Sequence, residues 1–112
     1  MYMKDFLLLF REPDGRAQPH DETFAEQHQQ HWQAWMGNLI AKGQLAGGKP
    51  LTLNGKVVAP TGEVTEGIHK NGTEIVGGFL LLKAESLEEA TEIARTCPVL
   101  EADGYIEVRE IM

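Results

Sequence analysis

Two apolar runs, FLLLF at residues 6–10 and GGFLLLKA at residues 77–84, constrain this chain more than any other feature. Each is short, aliphatic and aromatic, with turn-forming residues nearby: EPDGR stops the first, and KNGT precedes the second by three residues. Continuous apolar runs of this length read as strands covered on both faces. The first belongs to a longer segment, YMKDFLLLF, buried on both sides over its second half.

An amphipathic helix follows each run. After a polar loop at 14–21, the spacing predicts a helix from about Glu22 to Lys42, with Gly43 as its stop. Asp21 or Thr23 can cap it, and Glu26 stands three residues after Thr23 as in a capping box. At 100° per residue Phe24, His28, Trp32, Trp35 and Leu39 share one stripe, with His31 at one margin and Met36 at the other. Gln27, Gln29, Gln30 and Gln33 fill much of the remaining surface, so one face is buried. SLEEATEIARTCP (86–98) reads as a second helix. Ser86 is its N-cap with Glu89 at N3, Leu87, Ala90, Ile93 and Ala94 face inward, and Pro98 closes it.

GYIEVREIM alternates as a half-exposed strand does, with Tyr105, Glu107 and Arg109 on one face and Ile106, Val108 and Ile111 mostly on the other. Between Gln44 and Gly72 the signals are weaker. LTLNGKVV carries an Asn-Gly pair between apolar runs, which predicts a hairpin. EVTEGI is a further short strand, and KNGT a turn.

Without the hairpin, the order is strand, helix, strand, repeated once. Two such units pair into a four-stranded antiparallel sheet with both helices on one face, the α+β ferredoxin-like plait, with an extra hairpin in mid-chain. One domain covering residues 1–112 is expected. Two helices on one side cannot bury Leu7, Leu9, Leu80 and Leu82 together. The expected remedy is a homodimer that packs two sheets face to face.

Composition narrows function by exclusion. A formal net charge of −7 without a basic cluster is unsuited to nucleic acid or to an anionic membrane surface. The single cysteine, Cys97, excludes an internal disulfide and any multi-cysteine metal site. FLLLF is too short for a signal core or a membrane span, so a cytoplasmic protein is expected.

The stretch EGIHKNGTEIVGGF (66–79) resembles the signature segment of the YCII-related family, in its DGPF branch. That branch has Asp-Gly-Pro-Phe-Ala-Glu-Thr-Lys-Glu, two residues, Gly-Gly and an aromatic. Gly67, Glu74, Gly77, Gly78 and Phe79 match it without a gap, while Glu66, Ile68, His69, Asn71 and Thr73 depart from it. YMKDFLLLF, SLEEATEIARTCP and IEVREI are similar as well, so the likeness spans nearly the whole chain. The resemblance implies a dimeric α+β barrel, a fold shared with small cofactor-free monooxygenases and muconolactone isomerase. The histidine often proposed as catalytic in the wider family falls on Trp32 here, so that role does not carry over.

Two places remain where chemistry could reside. Gly77 and Gly78 suggest a bulge or a close backbone approach, and Asn71-Gly72 a turn. The loop is then structural, unless Glu66 and His69 face a pocket and share proton transfer. On the first helix, Phe24, His28, Trp32 and Trp35 are expected to line a cavity against the sheet. His31 or His69 stands at its mouth, and His28 or His31 moves a proton for a planar ligand stacked on tryptophan. The competing reading is a satisfied core histidine beside two packing tryptophans. His28 and His31 lack a carboxylate fixed nearby, so no metal is expected, and Cys97 reads as a small hydrophobe. Two functions fit: a cofactor-independent lyase, isomerase or oxygenase acting on a small aromatic or dicarbonyl compound, or a non-catalytic ligand-binding or interaction module.

Overall fold

A computed structural model describes residues 3–13 and 22–112. Four strands form one antiparallel sheet: β1 (Lys4–Pro13), β2 (Leu45–Pro50), β5 (Glu74–Ala84) and β6 (Tyr105–Glu110), in the spatial order β2-β5-β1-β6. Helices α1 (Glu22–Ala41) and α2 (Leu87–Ala94) connect β1 to β2 and β5 to β6. A separate hairpin, β3 (Lys56–Val58) with β4 (Val64–Glu66), interrupts the chain between the two units. This is the ferredoxin-like α+β plait.

Both apolar runs sit at the centre of the sheet, where β1 and β5 pair along their length. Phe6, Leu8 and Phe10 of β1 and Leu80, Leu82 and Ala84 of β5 point to the helices. There they meet Trp35 and Leu39 of α1 and Ala90 and Ala94 of α2. The alternate residues Leu7, Leu9, Phe79 and Leu81 face the other way and are only half-buried. Of the four leucines that two helices cannot bury together, Leu80 and Leu82 belong to the core, while Leu7 and Leu9 share the other face with Phe79 and Leu81.

Several local expectations hold for physical reasons. Gly43 ends α1 in the left-handed region at φ 69°, with its N–H on the Ile40 carbonyl. Ser86 Oγ accepts from the Glu89 N–H at 3.1 Å, as an N-cap should. Asn71 and Glu74 exchange backbone hydrogen bonds around the Gly72 turn.

Others are corrected. Thr23 lies inside α1 and does not cap it, whereas Asp21 and the loop at 14–20 fall outside the described residues. The hairpin does not turn at Asn54-Gly55; it turns at 59–63, where Ala59 N–H meets the Glu63 carbonyl. Helix α2 ends at Ala94, and Pro98 opens a 3-10 turn (Pro98–Ala102) at a position where its missing N–H costs nothing. Leu87 is exposed rather than inward-facing, and Ile111 lies beyond the end of β6 and is exposed.

Candidate functional site

Alternation along β1 decides what enters the space beneath α1. Phe6, Leu8 and Phe10 face the helices, so Glu12, two residues further on, faces them too. The chain stays in strand as far as Pro13, where the sequence predicted that EPDGR would already turn.

A cavity of about 340 Å³ opens at this point between α1 and the sheet. Phe10, Trp32, Met36, Leu80 and Val99 give it an apolar wall, and Glu12 is its acidic side chain. Gly48, Gly77 and Gly78 add bare backbone, and Lys49, Pro50 and Phe79 complete it. The register between β1 and β5 slips between Phe10 and Arg11, leaving Gly77 as an extra residue in β5. A β-carbon on Gly77 would overlap the Glu12 carboxyl, and one on Gly78 would come within 3.0 Å of the Lys49 carbonyl. The expected bulge and the expected close approach are therefore both present. Together they make room for a carboxylate against the sheet.

Glu12 is half-buried. Burial pushes its carboxyl above the ordinary carboxylate value, and the charge of His28 pulls more weakly the other way. The structure thus supplies an acid–base group that sequence reading missed. The signal was the two-residue period of Phe6, Leu8 and Phe10 continuing to position 12.

A polar relay adjoins the cavity wall. Trp32 Nε1–H donates to His28 Nε2 at 3.0 Å. His28 Nδ1 lies 3.2 Å from Glu101 Oε2, and His31 Nδ1 lies 2.8 and 3.0 Å from the two oxygens of the same carboxylate. These hydrogen bonds, His31's first and His28's second, hold the Glu101 carboxyl below the ordinary carboxylate value. The expectation that no carboxylate stands fixed near the two histidines is therefore corrected: the 3-10 turn delivers one. Phe24 stacks on His28 with ring centroids 5.5 Å apart. Phe10 and Trp35 meet Trp32 edge-to-face at 5.4 and 5.6 Å.

Of the four residues expected to line the cavity, Trp32 does so. Phe24, His28 and Trp35 share its helical stripe but stand outside the lining; Trp35 is buried and donates to Thr96 Oγ1 at 2.9 Å. His31 is exposed. Glu66 and His69 do not form the expected pair. Glu66 sits exposed on β4 with Lys56 Nζ at 3.1 Å, while His69 lines a separate groove of about 510 Å³ with Arg11, Asn54, Asn71 and Glu74. Cys97 is buried, and burial above all pushes its thiol up to about 12, which suits a packing role. Among the described residues no group of three or more His, Cys, Asp or Glu side chains could hold a metal ion, and no helix is long and apolar enough to cross a membrane.

The profile of the YCII-related domain matches residues 6–112. The chain belongs to the YCII-related family. No curated protein matches it. Among solved structures it is similar to 5-chloro-2-hydroxyhydroquinone dehydrochlorinase from Burkholderia phenoliruptrix AC1100, in complex with 2,5-dihydroxybenzoquinone. The identity is 19%, the TM-score 0.54, and the match covers 96% of this chain and 93% of that one. At that identity the likeness establishes the fold. In this YCII-related chain the cavity, Glu12 and the relay behind Trp32 are features of its own residues.

Proposed function

We propose that the cavity beneath α1 is the active site of a lyase or isomerase that needs no cofactor and acts on a small aromatic or dicarbonyl compound. Glu12 is its proton-transfer group. The observation that carries this reading is one half-buried carboxyl, raised by burial, in a mostly apolar cavity of about 340 Å³ that Lys49 also borders. A volume of this order suits a single ring, and a partly buried acid–base group in a mostly apolar pocket is a marker of function. A raised pKa brings the group nearer to neutral pH, where it can both take and return a proton.

The chemistry needs no redox step. Ionised Glu12 takes a proton from carbon next to a carbonyl, and the C–H electron pair moves into the enolate. The protonated carboxyl then returns that proton to a second carbon, which isomerises the compound. Alternatively, the enolate expels a leaving group from the neighbouring carbon, which eliminates it. Trp32 and Phe10 offer ring surface for stacking. The neighbouring structure, a dehydrochlorinase with a benzoquinone bound, supports a planar oxygenated ring as the ligand class.

The test is calorimetric titration with hydroquinones, hydroxyquinones and β-diketones, followed by NMR of deuterium uptake at the ligand carbons. Binding with exchange well above the buffer rate is expected. Binding without exchange would leave the ligand-binding module in place of the enzyme, and no binding at millimolar concentration would remove the site altogether.

We also infer a homodimer. The body measures 46 × 41 × 18 Å, and its radius of gyration of 15.6 Å exceeds the roughly 13 Å of a compact domain of this length. One layer of sheet and one of helix account for the thinness. A second copy placed on Leu7, Leu9, Phe79 and Leu81 would supply the missing layer. Sedimentation equilibrium at micromolar concentration should give twice the 12.4 kDa chain mass. A well-folded monomer would overturn the inference.

A further inference from the structure

We propose that Glu101 is a positioning residue: it fixes His28 in the Nδ1–H tautomer, and His28 in turn fixes Trp32 as the wall of the cavity. An indole nitrogen can only donate, so the 3.0 Å contact from Trp32 Nε1 requires His28 Nε2 to be an unprotonated acceptor. The proton of neutral His28 is then on Nδ1, which faces Glu101 Oε2 at 3.2 Å. A carboxylate is the partner that selects this tautomer, because it accepts and cannot donate. An unconstrained neutral imidazole prefers its proton on Nε2, where it would confront the indole N–H donor to donor.

The elements suit this role. His28 and Trp32 are one helical turn apart on α1, whereas Glu101 comes from the 3-10 turn that Pro98 opens after α2. His31 donates to the same carboxylate from the exposed side of α1, which helps hold the Glu101 carboxyl below its ordinary value. The groups that titrate around His28 are Glu101 and, through charge alone, Glu12. His31 acts on it indirectly, through their shared carboxylate.

One consequence concerns the ligand, and it rests on reading the cavity as a site. With its N–H committed to His28, Trp32 presents ring surface rather than a donor, so a ligand's polar edge must turn to Glu12, to Lys49 or to the glycine backbone. The tautomer itself is read in the free protein, so its failure and the failure of the active-site reading are separable.

Long-range ¹H–¹⁵N correlation spectra of the histidine rings at neutral pH distinguish the tautomers. Wild-type His28 should show a protonated Nδ1 and a bare Nε2, and His31→Ala should leave that pattern intact. In Glu101→Ala the proton should move toward Nε2, and exchange of the Trp32 indole proton with solvent should speed up about five- to tenfold, the loss of one hydrogen bond. The Trp35 indole proton, bonded to Thr96, is the internal control and should not change. A wild-type His28 protonated on Nε2 overturns the proposal. So does a Glu101→Ala spectrum like wild type, or equal acceleration at both indoles, which would mean general loosening. If Glu101→Ala does not fold, the wild-type tautomer alone supports or overturns the proposal.

Discussion

Arg11 and Glu12 are neighbours on β1, yet they face opposite sides of the sheet and live in opposite electrostatic surroundings. Arg11 lies between two carboxylates, Glu107 at 3.3 Å and Glu74 at 3.7 Å, and Tyr105 also donates to Glu74. Its charge is met, and within a single protomer the cluster remains open to solvent, on the face that the inferred homodimer would share. Glu12 enters the apolar cavity, where burial raises its carboxyl against a weaker pull from His28. A charge that is paired at a wet face contributes modestly to stability and is chemically quiet. A charge kept in a half-dry site destabilises the fold slightly and is available for reaction.

Replacing Glu12 by Gln tests the contrast most severely. Turnover should fall by about a hundredfold or more, the usual contribution of a positioned acid–base group, while calorimetric affinity for the ligand changes little. Stability should move the other way. The native carboxyl is raised, so its burial cost is absent below the ordinary value of about 4.3 and is complete above the raised one. Glu12→Gln should therefore melt above wild type at neutral pH and level with it in acid, by ~1 kcal/mol or less after solvent screening. Full activity in this variant would remove Glu12 from the chemistry.

Gly77→Ala approaches the same group from the backbone. Its methyl displaces the Glu12 carboxyl, so turnover should drop about tenfold through misplacement, at a cost near 1 kcal/mol read in denaturant melts. On the opposite face, Arg11→Met should cost about 1 kcal/mol or less and leave turnover unchanged. A large activity loss there would mean that the two faces are not separate.

The smallest effect belongs to Glu101. Its carboxyl is lowered, so what it contributes is complete above about pH 4.3 and is lost as pH falls through the native value. The melting difference between wild type and Glu101→Gln should accordingly close in strong acid. A gap that persists there would belong to packing.

The plait was legible because FLLLF, FLLLK and the helical stripes repeat with the periods of their elements. Strand β2 was not: LAGGKP has no β-branched or aromatic residue, and its strand character comes from pairing with β5. Within the site, Trp32 was legible from the stripe, but a stripe does not say which of its members reaches open space. Glu12 was hidden by its neighbours, since Pro13 and the Asp-Gly beyond it signal a turn while the pairing with β5 carries the strand through. The link from His28 to Glu101 spans 73 residues, a separation at which only the folded chain brings groups together.

Both tryptophans of the chain belong to one cluster, their ring centroids 5.6 Å apart and their planes at 87°. Transition dipoles at that range couple, so the two indoles should absorb as a pair and give an exciton couplet in far-ultraviolet circular dichroism. Excitation would pass between them before either emits. The protein's tryptophan emission therefore originates in this one pair, of which Trp32 is the wall of the cavity, and an unlabelled sample carries its own reporter there.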